Sequence, residues 1–263
     1  MEDRPGERDL IAQNLQPRTL EAVAEFQTTL DAVFEGDERR QVEDALWLMC
    51  EVHIDQDDRS DGVPYIEHPL EVAHNVLRTS ATPDVDKVIA ALMHDSVEDH
   101  APKLVAKARE AGLAGEDDVQ LALGYLEFRF GPKVARLDAA LTNPDFAAEL
   151  RRQGRKPTRE AKDALYVEHV RGAIEDPDVL HVKMFDFVSN GFRLHEVPDH
   201  NRRHRLTRKY LPLVDVFVAR LTDGTPTGID PATQAQLIIR LAQAGSDMKN
   251  WLRDIGGAVV ACT

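Results

Sequence analysis

The sequence predicts an all-α fold, a bundle of roughly ten helices, and three observations carry that prediction. Apolar residues recur at steps of three and four along most of the chain. No stretch alternates apolar and polar residues over the length of a strand, and no Gly-Asn hairpin signal appears. Glycine and proline fall at the ends of the periodic runs, where they stop or start helices.

Taken in order, Leu20, Val23, Phe26, Leu30 and Val33 form the first apolar face, which Gly36 and Asp37 end. A second helix is expected over 38–53, with Val42, Ala45, Leu46, Met49 and Val52 inward. Pro69 suits the first turn of a third, because its missing N–H is one that a helix start leaves unpaired anyway. Leu70, Ala73, Val76 and Leu77 continue that helix. Pro83 opens a fourth, whose apolar residues Val85, Val88, Ile89 and Leu92 lead to His94-Asp95. Further helices are expected over 117–129, 133–142, 159–175, 178–194, 202–221 and 231–254. The stretch from Pro144 to Pro157 reads as a loop carrying Arg151, Arg152, Arg155 and Lys156, either a solvated basic loop or a flap over an anionic site. Residues 1–17 read as a flexible polar segment, 18–225 as one domain, and 226–263 as a helical extension packed on it.

Composition narrows the function. The chain has 263 residues, a 43% hydrophobic content and a formal net charge of −14. So acidic a chain is poorly suited to duplex nucleic acid or to anionic lipid, although a local basic pocket or a metal still accommodates a small phosphorylated ligand. Two cysteines, Cys50 and Cys262, build neither a disulfide framework nor a cysteine-rich metal site, so a cytoplasmic protein is expected. No apolar run is long enough to span a membrane, and the N-terminus lacks a signal core.

Four residues stand out as awkward choices for apolar helices: His68, His94, Asp95 and Asp186. Two imidazoles and two carboxylates suit manganese, iron or zinc. Four protein ligands on an octahedral ion leave positions for water and a substrate oxygen, as catalysis requires. Spacing alone is a weak signal, since 10 histidines among 46 acids produce His-Asp pairs by chance.

Longer motifs add to it. Gly62-Val63-Pro64-Tyr65-Ile66-Glu67-His68-Pro69-Leu70 resembles the first metal motif of the RelA/SpoT hydrolase domains. Ala90-Ala91-Leu92-Met93-His94-Asp95-Ser96-Val97-Glu98-Asp99 resembles their central motif, and the segment from Asp178 to Asn190 resembles their third. The resemblance covers residues 40–221. It implies an HD-domain helical fold and an ancestry among stand-alone alarmone hydrolases, which remove the 3′-pyrophosphate of guanosine tetra- and pentaphosphate. It implies His68, His94, Asp95 and Asp186 as metal ligands, and manganese as the ion, with zinc or iron(II) also fitting the donors. Glu98 and Asp99 match the acidic pair that positions and deprotonates the attacking water. Arg59 matches an arginine beside the nucleobase, where a guanidinium plane stacks on a purine. Asn190 matches a contact to the sugar or the metal-site water. Lys183 either contacts substrate or supports the fold, and Tyr65 either packs under the site or bonds a ligand.

The sequence departs from that pattern at three places. Ser60 stands where the family has a lysine, and Phe187 and Ser189 stand where it has an arginine and a histidine. The expected partner is therefore a small phosphorylated nucleotide, with the alarmone first. No synthetase domain is expected beyond the match. Two other readings stay open: a hydrolase of another nucleotide, such as NADPH or an adenosine analogue, and a non-catalytic nucleotide-binding module. Oligomeric state is not encoded in these motifs.

Overall fold

The computed structural model describes residues 6–60 and 62–260, and among these the fold is all-α, with thirteen α-helices and no β-strand. The chain divides into two compact units, Met1–Thr142 and Asn143–Thr263.

The first unit contains α1 (Glu7–Asn14), α2 (Pro17–Val33), α3 (Gly36–His53), α4 (Glu67–Thr79), α5 (Val85–Met93), α6 (Ser96–Glu110), α7 (Asp118–Phe130) and α8 (Pro132–Leu141). Its centre is α5, against which α3, α4 and α8 pack. Every residue of α5 from Lys87 to Met93 is buried. Burying each of Val88, Ile89, Leu92 and Met93 contributes about 1.5–3 kcal/mol, which fixes the helix that presents His94-Asp95. Asp84 caps its start by accepting from the Lys87 amide at 3.1 Å, and Lys133 of α8 also pairs with Asp84. The start of α4, next to His68, is held by Arg18 of α2, which grips both oxygens of Glu67 at 2.7 and 2.8 Å. Cys50 is buried in α3, and burial pushes its thiol up to about 12, so it is chemically quiet at neutral pH.

The second unit contains α9 (Phe146–Arg152), α10 (Arg159–Ala173), α11 (Pro177–Gly191), a 3₁₀ turn (Leu194–Glu196), α12 (His200–Thr222) and α13 (Pro231–Val260). Here α12 is central, packing on α10, α11 and α13. Its buried Arg220 donates to Ile174 O at 3.0 Å and Pro226 O at 2.8 Å, so a cation sits inside without an orphaned donor. The C-terminal helix seats Leu237, Leu241 and Met248 in this unit.

Three helices exceed the ten expected from periodicity. The first, α1, lies in the segment read as a polar tail and buries Ile11, with Leu15 buried just past its end. The second, α6, buries Val97, Leu104, Val105 and Ala108, a helical face that Pro102 disguises. An interior proline removes one backbone hydrogen bond, and the helix kinks beside it at His100, with φ −135°. The third, α9, corrects the reading of 144–157 as loop throughout. Asp145 caps it through the amides of Ala147 and Ala148, both at 2.9 Å, and Leu150 is fully buried. The basic residues around it are exposed; Arg152 pairs with Glu149 and Arg155 with Gln153, as on a solvated surface.

Phe187, where the motif family has an arginine, is a core residue. Only 3% of it is exposed, and its ring meets Phe192, Tyr210 and Phe217 at centroid distances of 5.8, 5.9 and 5.2 Å. Gly191 lies against the same ring, where a Cβ would come within 2.9 Å of Cε2. Phe187→Ala is expected to destabilise the fold by about 3–5 kcal/mol, and Phe187→Arg by no less, since it also buries a charge. Urea unfolding of the two variants checks this; a shift below 1 kcal/mol, within the range of surface changes, would show a surface position.

Candidate metal centre

The site is built where α5 gives way to α6. The chain leaves α5 at Met93, turns through His94 and Asp95, and re-enters a helix at Ser96. Opposite them, His68 stands in the first turn of α4, two elements that pack together. Both histidines are almost fully buried.

Three ligand atoms converge. His94 Nε2 lies 3.2 Å from His68 Nε2, and Asp95 Oδ2 lies 3.4 Å from His68 Nε2 and 3.2 Å from His94 Nε2. Among the described residues, these three are a group of metal-ligating side chains gathered at one point. His94 Nδ1 bonds the Ala91 carbonyl at 2.8 Å. A carbonyl only accepts, so Nδ1 carries the proton and Nε2 turns its lone pair into the triangle. Two ring nitrogens at this range need an electropositive atom between them, either a proton on His68 or a cation.

The triangle has the right size for a divalent ion. Ligand atoms about 2.1 Å from a metal stand about 3.0 Å apart at right angles and about 3.4 Å apart at tetrahedral angles. The observed edges, 3.2 to 3.4 Å, fall in that window. Two imidazoles and a carboxylate on one face leave the other side for further ligands and substrate. Burial works against ionisation of Asp95, but His94 and His68 outweigh it and hold the carboxyl well below the usual carboxylate range.

Around the triangle lies a set of supporting groups. The Tyr65 hydroxyl donates to Asp95 Oδ2 at 2.6 Å, so this tyrosine orients a ligand carboxylate. Burial, and then the Asp95 and Asp99 carboxylates, push its phenol far above its ordinary value. The Tyr65 ring stacks on His53 at 5.2 Å. Glu98 and Asp99 are exposed in the first turn of α6, where the helix dipole favours carboxylates. The helix breaks at 94–95, so the acidic pair belongs to a new helix and not to the one that ends before His94. Asp99 N bonds Asp95 O at 2.9 Å and so ties the pair to the ligand. Arg59 sits on the α3–α4 loop, in a turn closed by Arg59 N to Val63 O and Gly62 N to Arg59 O, both 2.8 Å. Gly62 takes φ +79° there, which favours glycine.

In the second unit, Asp186 lies on one face of α11 with Lys183 and Asn190. Asn190 Nδ2 donates to its Oδ1 at 2.7 Å, and Lys183 Nζ lies 3.7 Å from Oδ2. Lys183 is only 3% exposed. Asn190, expected at the sugar or the metal-site water, and Lys183, expected either to contact substrate or to support the fold, both bear on the Asp186 carboxylate.

The profile of the HD domain matches residues 45–221, about two thirds of the chain. The chain belongs to the HD-domain family. HD domains bind divalent metals, and the family points to a metal-dependent phosphohydrolase, which accords with the His68, His94 and Asp95 cluster. Comparison with curated proteins gives no match.

Two features of this HD-domain centre escaped sequence reasoning. Asp138 of α8 is fully buried, and neither carboxyl oxygen meets a donor. Burial pushes its carboxyl well above the ordinary range, and Asp95 adds to this against the pull of His94. The other is His53, buried at the end of α3, where burial pushes the imidazole from 6.5 down to about 4. Above pH 6.5 the ring is neutral in both folded and unfolded chains. As pH falls from 6.5 to about 4, the unfolded chain takes up a proton that the folded chain refuses, and stability drops. The full loss is about 3 kcal/mol. Urea unfolding between pH 7 and 4.5 should show this slope, reduced in His53→Gln; identical slopes in the two proteins would contradict it.

Proposed function

We propose that this chain hydrolyses a small phosphorylated nucleotide, with guanosine tetraphosphate, losing its 3′-pyrophosphate, as the first candidate. The observation that carries the reading is the triangle of His68, His94 and Asp95 beside the acidic pair Glu98 and Asp99. A divalent cation held there supplies the Lewis acidity that brings water toward hydroxide near neutral pH. Glu98 accepts the proton of the attacking water at its carboxylate, and Asp99 orients that water. The motif resemblance supplies the rest: Asp186 as the fourth ligand, Arg59 against the nucleobase, and manganese as the ion. The grip of Lys183 and Asn190 on Asp186 suits a carboxylate kept ready for a ligand role.

A second reading, a less charged phosphorylated nucleotide as substrate, draws on Phe187. A core phenylalanine offers no cation where the family has one. A panel of guanosine tetraphosphate, NADPH and adenosine 3′,5′-bisphosphate with manganese separates the two. Release of pyrophosphate from guanosine tetraphosphate, with a raised KM, is the expected result. Faster turnover of NADPH or the bisphosphate favours the second reading. Bound metal without turnover of any nucleotide would leave only a binding module.

A further inference from the structure

Gln56 touches no metal-ligating atom, yet three groups around the centre converge on its amide. It lies in the α3–α4 loop, three residues after His53. Gln56 Nε2 and Asp99 Oδ2 are 2.9 Å apart. Gln56 Oε1 lies 2.5 Å from His53 Nδ1 and 2.8 Å from His100 Nε2. His53 Nε2 lies 3.1 Å from Ser96 Oγ.

Hydrogen-bond chemistry gives this chain one direction. A carboxylate only accepts, so the amide turns its NH2 to Asp99 and its oxygen to the two rings. Both ring nitrogens facing that oxygen then carry protons. With the proton on Nδ1, His53 Nε2 is an acceptor, and the Ser96 hydroxyl donates to it. The order runs from Ser96 through His53 and Gln56 to Asp99. Its first and last members lie on α6, on either side of Glu98. His53 is buried and stacked on Tyr65, so the anchor of the chain is rigid where Asp99 itself is exposed.

We infer that Gln56 is a positioning residue for Asp99, holding one carboxylate oxygen so that the acidic pair works from a fixed place beside Asp95. This rests on the reading above, in which Asp99 orients the attacking water. Without the amide, the exposed Asp99 would be held only through Tyr65 and would divide its time among more rotamers. Loss of the restraint should then lower kcat while leaving metal content and KM in place.

The test uses the full chain with manganese and the fastest nucleotide of the panel. Gln56→Glu keeps the acceptor for His53 and His100 but sets a carboxylate against Asp99. It should fold, keep stoichiometric manganese, hold KM within about twofold, and lose about 10–100-fold in kcat, the usual range for an outer partner of a metal centre. In an Asp99→Asn background the same change should cost little, since the coupling is already gone. If Asp99→Asn alone leaves kcat unchanged, the role of Asp99 fails and this inference falls with it. If Asp99→Asn lowers kcat and Gln56→Glu does not, only the inference fails. Should Gln56→Glu not fold, Gln56→Met carries the same comparison. Independently of activity, ¹⁵N spectra of the metal-free protein should show His53 as the neutral Nδ1–H tautomer, assigned by its absence in His53→Gln. An Nε2–H tautomer would overturn the chain.

Discussion

Asp95→Ala is expected to remove the metal and the activity together. Asp95 supplies the only carboxylate vertex of the triangle, and its Oδ2 is also the acceptor for Tyr65. Without it, two histidine nitrogens 3.2 Å apart remain, with no anionic donor among the three to offset the ion's charge. Loss of an outer partner already costs about 10–100-fold in metal affinity, so removal of a direct ligand should exceed that range. The variant should still fold, because α5 and its neighbours are held by the apolar residues of α5 and by Asp84, not by Asp95. Circular dichroism together with elemental analysis of the purified protein checks both halves. Stoichiometric metal in a folded Asp95→Ala would contradict the ligand assignment.

Glu98→Gln should behave in the opposite way toward metal. It preserves shape and hydrogen bonding but cannot take a proton, so turnover should fall about 10²–10⁴-fold, the usual contribution of a general base. Metal should stay bound, since Glu98 is exposed in the first turn of α6 and lies outside the triangle. A variant with normal turnover would exclude Glu98 as the base, and one that loses metal would make it a ligand.

How far the sequence carried this reading depends on what kind of signal each residue leaves. The helical faces of α2 to α5 were legible because burial repeats at helical spacing. His94-Asp95 was legible because an imidazole and a carboxylate end an otherwise apolar helix. The break between α5 and α6 was not, because Ser96 and Val97 continue a helical pattern while the backbone turns. Pro102 hid α6, and a charged run hid α9, although Asp145 and Leu150 carried its cap and its anchor. Asp138 left no local trace: its burial is imposed by the helices packed around α8, so the same letter reads as a surface acid in sequence. Gln56 was equally silent, a polar residue in a polar loop whose meaning comes from His53, Asp99 and His100 meeting it in space. Phe187 was visible as a departure from a motif, but only packing shows that its ring belongs to the core.

The central claim is that the His68, His94 and Asp95 triangle holds the ion on which hydrolysis depends. The most direct measurement is phosphate or pyrophosphate release by chelator-stripped protein, titrated with manganese over the nucleotide panel. Release should be absent without metal, rise with added manganese and saturate near one equivalent per chain. Full turnover in the stripped protein, or stoichiometric binding that leaves release unchanged, would contradict it.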